Sequence, residues 1–388
     1  MAFPNKKREP LENQRGRPPR GALSSYPDDL VALIKELREK HEGWGAINIL
    51  VELEEEYSYS ASVLPSIASL NRYLKTNGFI KSYVPSSPFP KSNKCNKKAN
   101  RIHGVWELDA QGAVKVKGIG HQAMINIKDT KSKLHCMAFP VSVGNSNTQP
   151  RTKCYYWALR LAFAEWGLPK VIQVDKDAVF YENRSKSPFP KSLHAWLISL
   201  GIEVCFIKYS PPTQNAMIER AHQTMERQVL KGQKYDCWKS LFQYCNKRRK
   251  RMNEKVPNRS LRNKPPLEAY PKATHSGRPY SIEKEAELID LKKLYSYLAK
   301  CKWYRQCSTT KTLSLGGQQY YLKNAKPNSQ LQIKFCNRSK KLIFRDANEL
   351  FVAKLPIKEL TIEKLMGATT KSLFSMRNKI YRLRNCPL

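Results

Sequence analysis

The sequence predicts a multidomain chain: an N-terminal all-α module, a central α/β core on a mixed sheet, and a small C-terminal β-barrel. Three observations predict it. Apolar residues recur at helical spacing from Leu30 to Leu74. Strand-like and helical apolar patterns then alternate between 102 and 255, and short β-rich runs surround Gly316-Gly317. The expected order is a basic arm at 1–24, a helical domain at 25–81, a basic linker at 82–101, the core at 102–255, a connector at 256–300, the barrel at 301–358 and a basic tail at 359–388.

Residues 1–24 are basic and rich in Pro and Gly, without a hydrophobic period, which reads as a disordered arm. Arg15-Gly16-Arg17-Pro18 within it suits a narrow minor groove, where arginines meet enhanced negative potential. Pro27 opens a first helix with Leu30, Leu33, Ile34 and Leu37 on one face, and a second carries Ala46, Ile49, Leu50 and Leu53. Ser66 is the expected N-cap of a third, with Ile67, Leu70 and Leu74 inward and Gly78 at its stop. Its outward face then offers Ser69, Arg72, Lys75 and Thr76, a helix-turn-helix arrangement suited to a major groove; the plain alternative is a three-helix bundle with a solvated face. The linker adds Lys91, Lys94, Lys97, Lys98 and Arg101, which can track a phosphate backbone.

In the core, strands are expected at 104–109, 113–118, 123–129, 134–142, 170–175 and 202–207. Helices are expected at 150–166, 191–200 and from 214 onward. The run Lys247-Arg248-Arg249-Lys250-Arg251 is compatible with a nuclear localisation signal, a phosphate-binding helix end or a solvated charge run. Beyond Pro265-Pro266 a polar stretch leads to five short strands, the first two joined by the two-residue turn at Gly316-Gly317.

Composition narrows the partners. The 388 residues hold 69 Lys+Arg against 32 Asp+Glu, a formal charge of +37, which favours a polyanion because cations displace condensed counterions from phosphates. Solubility by charge alone, or association with ribosomes, is the plain alternative. No apolar run approaches a membrane span and no apolar signal region follows Met1, so a cytoplasmic protein with no membrane partner is expected. The ten cysteines are scattered without a Cys-x-x-Cys pair, which reads as reduced structural thiols and no zinc module.

Acids are scarce, so those at strand ends and helix starts stand out. Asp109 ends Trp106-Glu107-Leu108-Asp109, Asp175 ends Val171-Ile172-Gln173-Val174-Asp175, and Glu219 opens a helix after Ser210-Pro211-Pro212-Thr213-Gln214-Asn215. Two divalent ions roughly 3.5–4 Å apart can stabilise the entering and leaving oxygens of an in-line phosphoryl displacement. Magnesium prefers hard carboxylate oxygens for such work. Ile218, Ala221, Met225 and Val229 form the expected buried stripe, which leaves Glu219 at its rim and points Arg220 away, toward a phosphate. Asp177 rivals Asp175, and Glu226, seven residues after Glu219, rivals the third acid. His222 and His103 are ambiguous between structure and site.

These motifs resemble the integrase-like DDE transposase family. Trp106-Glu107-Leu108-Asp109 resembles its Trp-x-x-Asp, Val174-Asp175-Lys176-Asp177-Ala178-Val179-Phe180 its Asp-Asn-Gly-Ser-Glu-Phe, and Tyr209-Ser210-Pro211 through Glu219-Arg220 its Tyr-Ser-Pro-x-x-Asn-Gly-x-x-Glu-Arg. Pro265-Pro266-Leu267-Glu268-Ala269-Tyr270 is similar to its Thr-Pro-x-Glu-Ala element. Asp177 stands in place of a glycine, Ala216 in place of another, and the Asp175–Glu219 gap is longer than usual, a surplus assigned to an insertion around Glu182–Pro190.

The resemblance implies an RNase H-like core, with Asp109 bridging two Mg²⁺ or Mn²⁺ ions, Asp175 holding one and Glu219 the other. It implies a bacterial transposase that cleaves element ends and joins the 3′-hydroxyl to target DNA. Arg15, Arg17, Ser69, Arg72, Lys75, Lys97, Lys98, Asn215 and Arg220 would contact DNA in a synaptic homo-oligomer, with accessory transposition proteins as further partners. A catalytically silent, domesticated DNA-binding protein and a structure-specific nuclease are the other readings.

Overall fold

A computed structural model describes residues 21–80, 99–144, 149–175, 178–180, 187–207, 216–358 and 360–367. Arg15, Arg17, Lys97, Lys98, Asp177 and Asn215 lie outside the described residues, as does most of the 182–190 insertion. The chain forms two compact units, Met1–Ser87 and Pro88–Leu388.

The first unit contains the three expected helices, α1 (Asp28–Lys40), α2 (Ala46–Glu55) and α3 (Ile67–Thr76). Leu30, Ile34, Leu37, Ile49, Leu53, Leu70 and Leu74 meet in its core, with Trp44 buried among them. Ser66 caps α3 by accepting the Ser69 amide at 3.1 Å. Two expectations on α3 change. Ile67 is 45% exposed, because the first residue of the helix stands before its inward stripe is established. The Ser69 hydroxyl accepts a hydrogen bond from Ser66 Oγ at 3.0 Å, so it is tied into the cap. Asn71, Arg72, Lys75 and Thr76 are left on the exposed surface.

The second unit is built on a five-stranded mixed sheet, ordered β3-β2-β1-β4-β5. Its strands are β1 (Val105–Val116), β2 (Gly120–Asp129), β3 (His135–Ser142), β4 (Val171–Val174) and β5 (Glu203–Phe206). The first three pair antiparallel, whereas β4 runs parallel to β1 and β5. The strands expected at 104–109 and 113–118 are one long strand, which keeps β2 as its partner across a register shift between Gln111 and Val114. A bulge of this kind bends a strand without ending it. At Gly118 the backbone has φ +88°, and a Cβ there would run into the Tyr235 carbonyl, so only glycine fits this turn.

Helices cover both faces. On one side α4 (Thr152–Trp166) and α5 (Ser192–Ser199) bury Phe163, Trp196 and Leu197 with Trp106, Leu108, Ile172 and Val174. On the other, α6 (Ala216–Met225) and α7 (Trp238–Glu254) close over Met124, Ala138 and Val116 through Met225, Leu241 and Cys245. A π-helical turn, Glu226–Leu230, continues α6.

The basic run on α7 is not simply a solvated charge run, although Lys250 is exposed. Arg248, Arg249 and Arg251 are buried. Arg249 contacts Glu165 at 2.8 Å and the carbonyls of His135 and Cys136 at 3.2 Å, and Arg248 donates to Gln228 at 3.0 Å. These guanidiniums staple α7 to the sheet and to α4.

The C-terminal strands do not close into a barrel. They form a four-stranded sheet, β11-β10-β9-β6, and a separate β7-β8 hairpin. The strands are β6 (Lys302–Gln306), β7 (Thr312–Leu315), β8 (Gln318–Tyr321), β9 (Gln330–Cys336), β10 (Lys341–Arg345) and β11 (Phe351–Pro356). Closure is not needed to bury their apolar face: Trp303, Ile333, Phe344 and Leu342 join the core cluster of the central sheet. Residues 362–366, read as a tail without a role, form a short helix whose Leu365 and Met366 are buried. Among the described residues no helix is long and apolar enough to cross a membrane, and the eight described cysteines are all free.

Candidate active site

The site grows from the parallel junction of β1 and β4. The last pair is Glu107↔Gln173, and two residues further along each chain stand Asp109 and Asp175. Side chains alternate along a strand, so Asp109 shares the face of Glu107, and Asp175, one residue past β4, follows Gln173. Adjacent strands lie about 4.8 Å apart, which sets Asp175, at the end of β4, beside Asp109, which lies within the long β1 and not at its end as expected. Asp109 is about one-third exposed and Asp175 is exposed. The Ala110 amide donates to Asp109 Oδ1 at 2.8 Å and fixes that carboxylate.

Helix α6 lies over this face. Ile218, Ala221 and Met225 are buried, so Glu219 is set at the rim and Arg220 is exposed. The Glu219 carboxyl is raised above its ordinary value, first by burial and then by the charge of Asp175. His222, one turn on, lies with Nδ1 3.9 Å from Asp109 Oδ2. Burial holds its pKa down to about 4, against the pull of the Asp109 backbone and Glu226, so the ring is neutral at neutral pH. Glu226 is occupied elsewhere: Gln111 Nε2 donates to it at 2.6 Å and Lys231 Nζ pairs with it at 2.6 Å. His103 lies away from the acids, taking the Trp106 indole N–H at 3.0 Å and contacting the Ala273 carbonyl.

Beneath the acids is a buried polar layer that the motifs did not reveal. Glu107, directly across from Lys128 on β2, is buried, and its carboxyl is pushed up to about 7 by burial. Lys133, Lys128 and the Ile218 amide in the first turn of α6 oppose that shift. The Glu107 carboxyl thus lies beneath the start of the helix that carries Glu219. An acid with a raised pKa contributes stability below about pH 4.5 that is lost as pH rises through about 7. Glu107→Gln is expected to gain on the parent by roughly 1–3 kcal/mol between pH 5 and pH 8. Urea unfolding of both proteins at the two pH values checks this; a constant difference contradicts it.

The residues suit a hard divalent cation. The acids supply anionic oxygens, no thiol stands among them, and the like charges of Asp175 and Glu219 crowd each other. His222 Nε2 and Asn126 Nδ2, on the residue paired with Asp109, are buried without hydrogen-bond partners. Among the described residues, however, no group of three or more His, Cys, Asp or Glu side chains is gathered closely enough to hold an ion. What is brought together is Asp109 with His222 and Asp175 with Glu219.

Residues 200–266 match the family model for the integrase core domain. The match supports an integrase/transposase-like family. It spans α6 with Glu219, the π-turn and α7, and does not reach Asp109 or Asp175. The chain is also similar to a chain in the structure of the simian T-cell lymphotropic virus intasome in complex with PP2A regulatory subunit B56 gamma. The identity is 12% and the TM-score 0.35, over 84% of this chain and 99% of that one. At that score the likeness bears on neither fold nor function.

Proposed function

We propose that this protein is a DDE transposase, which cleaves DNA at the ends of a mobile element and transfers the freed 3′-hydroxyl into target DNA. The observation that carries the reading is Asp109 on β1 beside Asp175 at the end of the parallel strand β4, with a helix whose Glu219 feels the charge of Asp175. The integrase core match over 200–266 supports integrase-type activity in general terms.

Asp109, Asp175 and Glu219 would hold two Mg²⁺ or Mn²⁺ ions, which when bound supply charge stabilisation for the entering and leaving oxygens. The chain's own part is positioning. The Ala110 amide orients Asp109, and the buried stripe of α6 holds Glu219 at the rim of the same sheet face. The exposed face of α3, with Arg72 and Lys75, would read the terminal repeats, and the arm with Arg15 and Arg17 and the linker with Lys97 and Lys98 would follow the backbone. Ser69 serves the cap of α3 and contacts DNA less directly than its neighbours. Asn215 would meet a phosphate near Glu219, and Arg220, exposed on another side of α6, would meet one there. The protein would work as a synaptic homo-oligomer on two DNA ends.

The test uses labelled duplexes carrying the inverted repeats that flank the coding region, incubated with the full chain and Mg²⁺ or Mn²⁺. Nicking at the repeat end followed by joined product is the expected result. Binding without cleavage on every such end favours a silent DNA-binding protein, and cleavage of branched DNA without joining favours a nuclease.

A further inference from the structure

A cleft of about 450 Å³ opens along α6. Met217, Arg220, Ala221 and Thr224 line it from the helix, whereas Glu219, His222 and Glu226 project from the opposite flank at 3.6 residues per turn. The far walls supply Lys128 from β2, Lys133 from the β2–β3 turn, and Asn258, Arg259 and Ser260 from the segment after α7. No Asp or Glu lines it, and its one ring is the buried imidazole of His135, with no Phe, Tyr or Trp to stack a base.

Four cations therefore converge on one concave surface. Among the described residues the side chains of Lys128, Arg220 and Arg259 make no hydrogen bond, and Lys133 Nζ reaches only the Thr130 carbonyl, at 2.7 Å. Lys128 bears the cost of this crowding. Burial pushes its pKa down to about 8, with repulsion from Lys133 and Arg220 adding to the fall and Glu107 opposing it. An anion seated between these groups would relieve both the repulsion and the missing hydrogen bonds.

We infer that this cleft is a second phosphate site, which holds a backbone phosphodiester of DNA on the far flank of α6 from the carboxylates. The identity of the polyanion rests on the strand-transfer reading above; the anion chemistry rests on the cleft alone. A helix is roughly 10 Å across, so the same α6 would grip the backbone at two places, one for chemistry and one for register. With no base contact on offer, recognition here is independent of sequence.

The experiment follows anisotropy of a labelled duplex across a salt series, using the full chain without divalent ions. For Arg220→Met/Arg259→Met, and separately for Lys128→Met, the log–log salt slope is expected to fall by about one for each phosphate no longer neutralised, equally on unrelated duplexes. Circular dichroism establishes that each variant is folded. A folded double variant with the parent's slope overturns the proposal, and so does a parent chain that fails to bind duplex DNA. Inorganic phosphate serves as the free-anion probe: if it raises the parent's melting temperature beyond chloride of equal ionic strength and the variants lose that rise with the duplex slope unchanged, the site takes free anions and the DNA assignment is overturned. The two readings fail separately. A parent that binds but never cuts or joins sinks the transposase while a reduced slope still upholds the cleft, and an active parent with unchanged variant slopes sinks the cleft alone.

Discussion

Asp109→Asn will fold, bind duplex DNA at least as tightly as the parent, and cleave and join ends about a thousandfold more slowly or worse. Asparagine keeps the shape of the side chain, and its carbonyl oxygen can still accept the Ala110 amide that fixes Asp109. What it loses is the anionic charge on β1. Removing a negative charge from a phosphate-binding surface does not weaken DNA affinity, so binding and turnover separate. Asp175→Asn and Glu219→Gln are expected to behave alike, and a double variant to be little worse than a single one, because the three act as a unit. Single-turnover assays on labelled ends check this. Near-parental joining by any of the three amides removes that residue from the site.

The second large effect concerns stability. Glu285 is fully buried and takes Arg160 in a fork, with Nε and Nη2 each 2.7 Å from a carboxylate oxygen. The Trp196 indole donates to the same carboxylate at 3.0 Å, and the Tyr280 hydroxyl also bonds to it. Arg160 lies among Tyr156, Trp157 and Trp196 and reaches the Met366 carbonyl at 2.7 Å. The connector, α4, α5 and the helix at 362–366 thus meet at one ion pair. Glu285→Ala would leave a buried guanidinium uncompensated, at a cost of about 3–5 kcal/mol. Replacing both partners, Arg160→Met with Glu285→Leu, should cost less than either single change, since no charge is stranded. Denaturant unfolding of Glu285→Ala, the two single changes and the double variant decides it, and a Glu285→Ala loss below about 1 kcal/mol would show the pair to be dispensable.

How much of this was legible follows from the range of each interaction. Helices α1 to α3 and the strands of the central sheet rest on local periodicity, which a sequence displays directly; the order of those strands does not. The buried stripe of α6 predicted the rim position of Glu219 and the exposure of Arg220 for the same reason. Long-range pairing was not legible. Glu285 sits in a polar stretch, and nothing nearby announces Arg160 more than a hundred residues earlier. The basic run on α7 misled because charges without visible partners read as solvated, whereas Arg249 finds Glu165 only in the folded chain. The barrel failed for a related reason: strand count reads from sequence, but closure depends on whether another surface already covers the apolar face. Glu107 was hidden inside the motif that drew attention to Asp109. Its role needs Lys128 across the strand pair and the α6 amide above it.

The central claim is that Asp109, Asp175 and Glu219 together hold the divalent ions that serve strand transfer. Counting Mn²⁺ bound to the full chain on an end duplex, by electron paramagnetic resonance, tests it without relying on turnover. The parent is predicted to take up two ions per active site, and the Asp109→Asn/Asp175→Asn/Glu219→Gln chain to take up neither. Equal uptake of Mn²⁺, at equal affinity, by the parent and the triple amide would contradict the account.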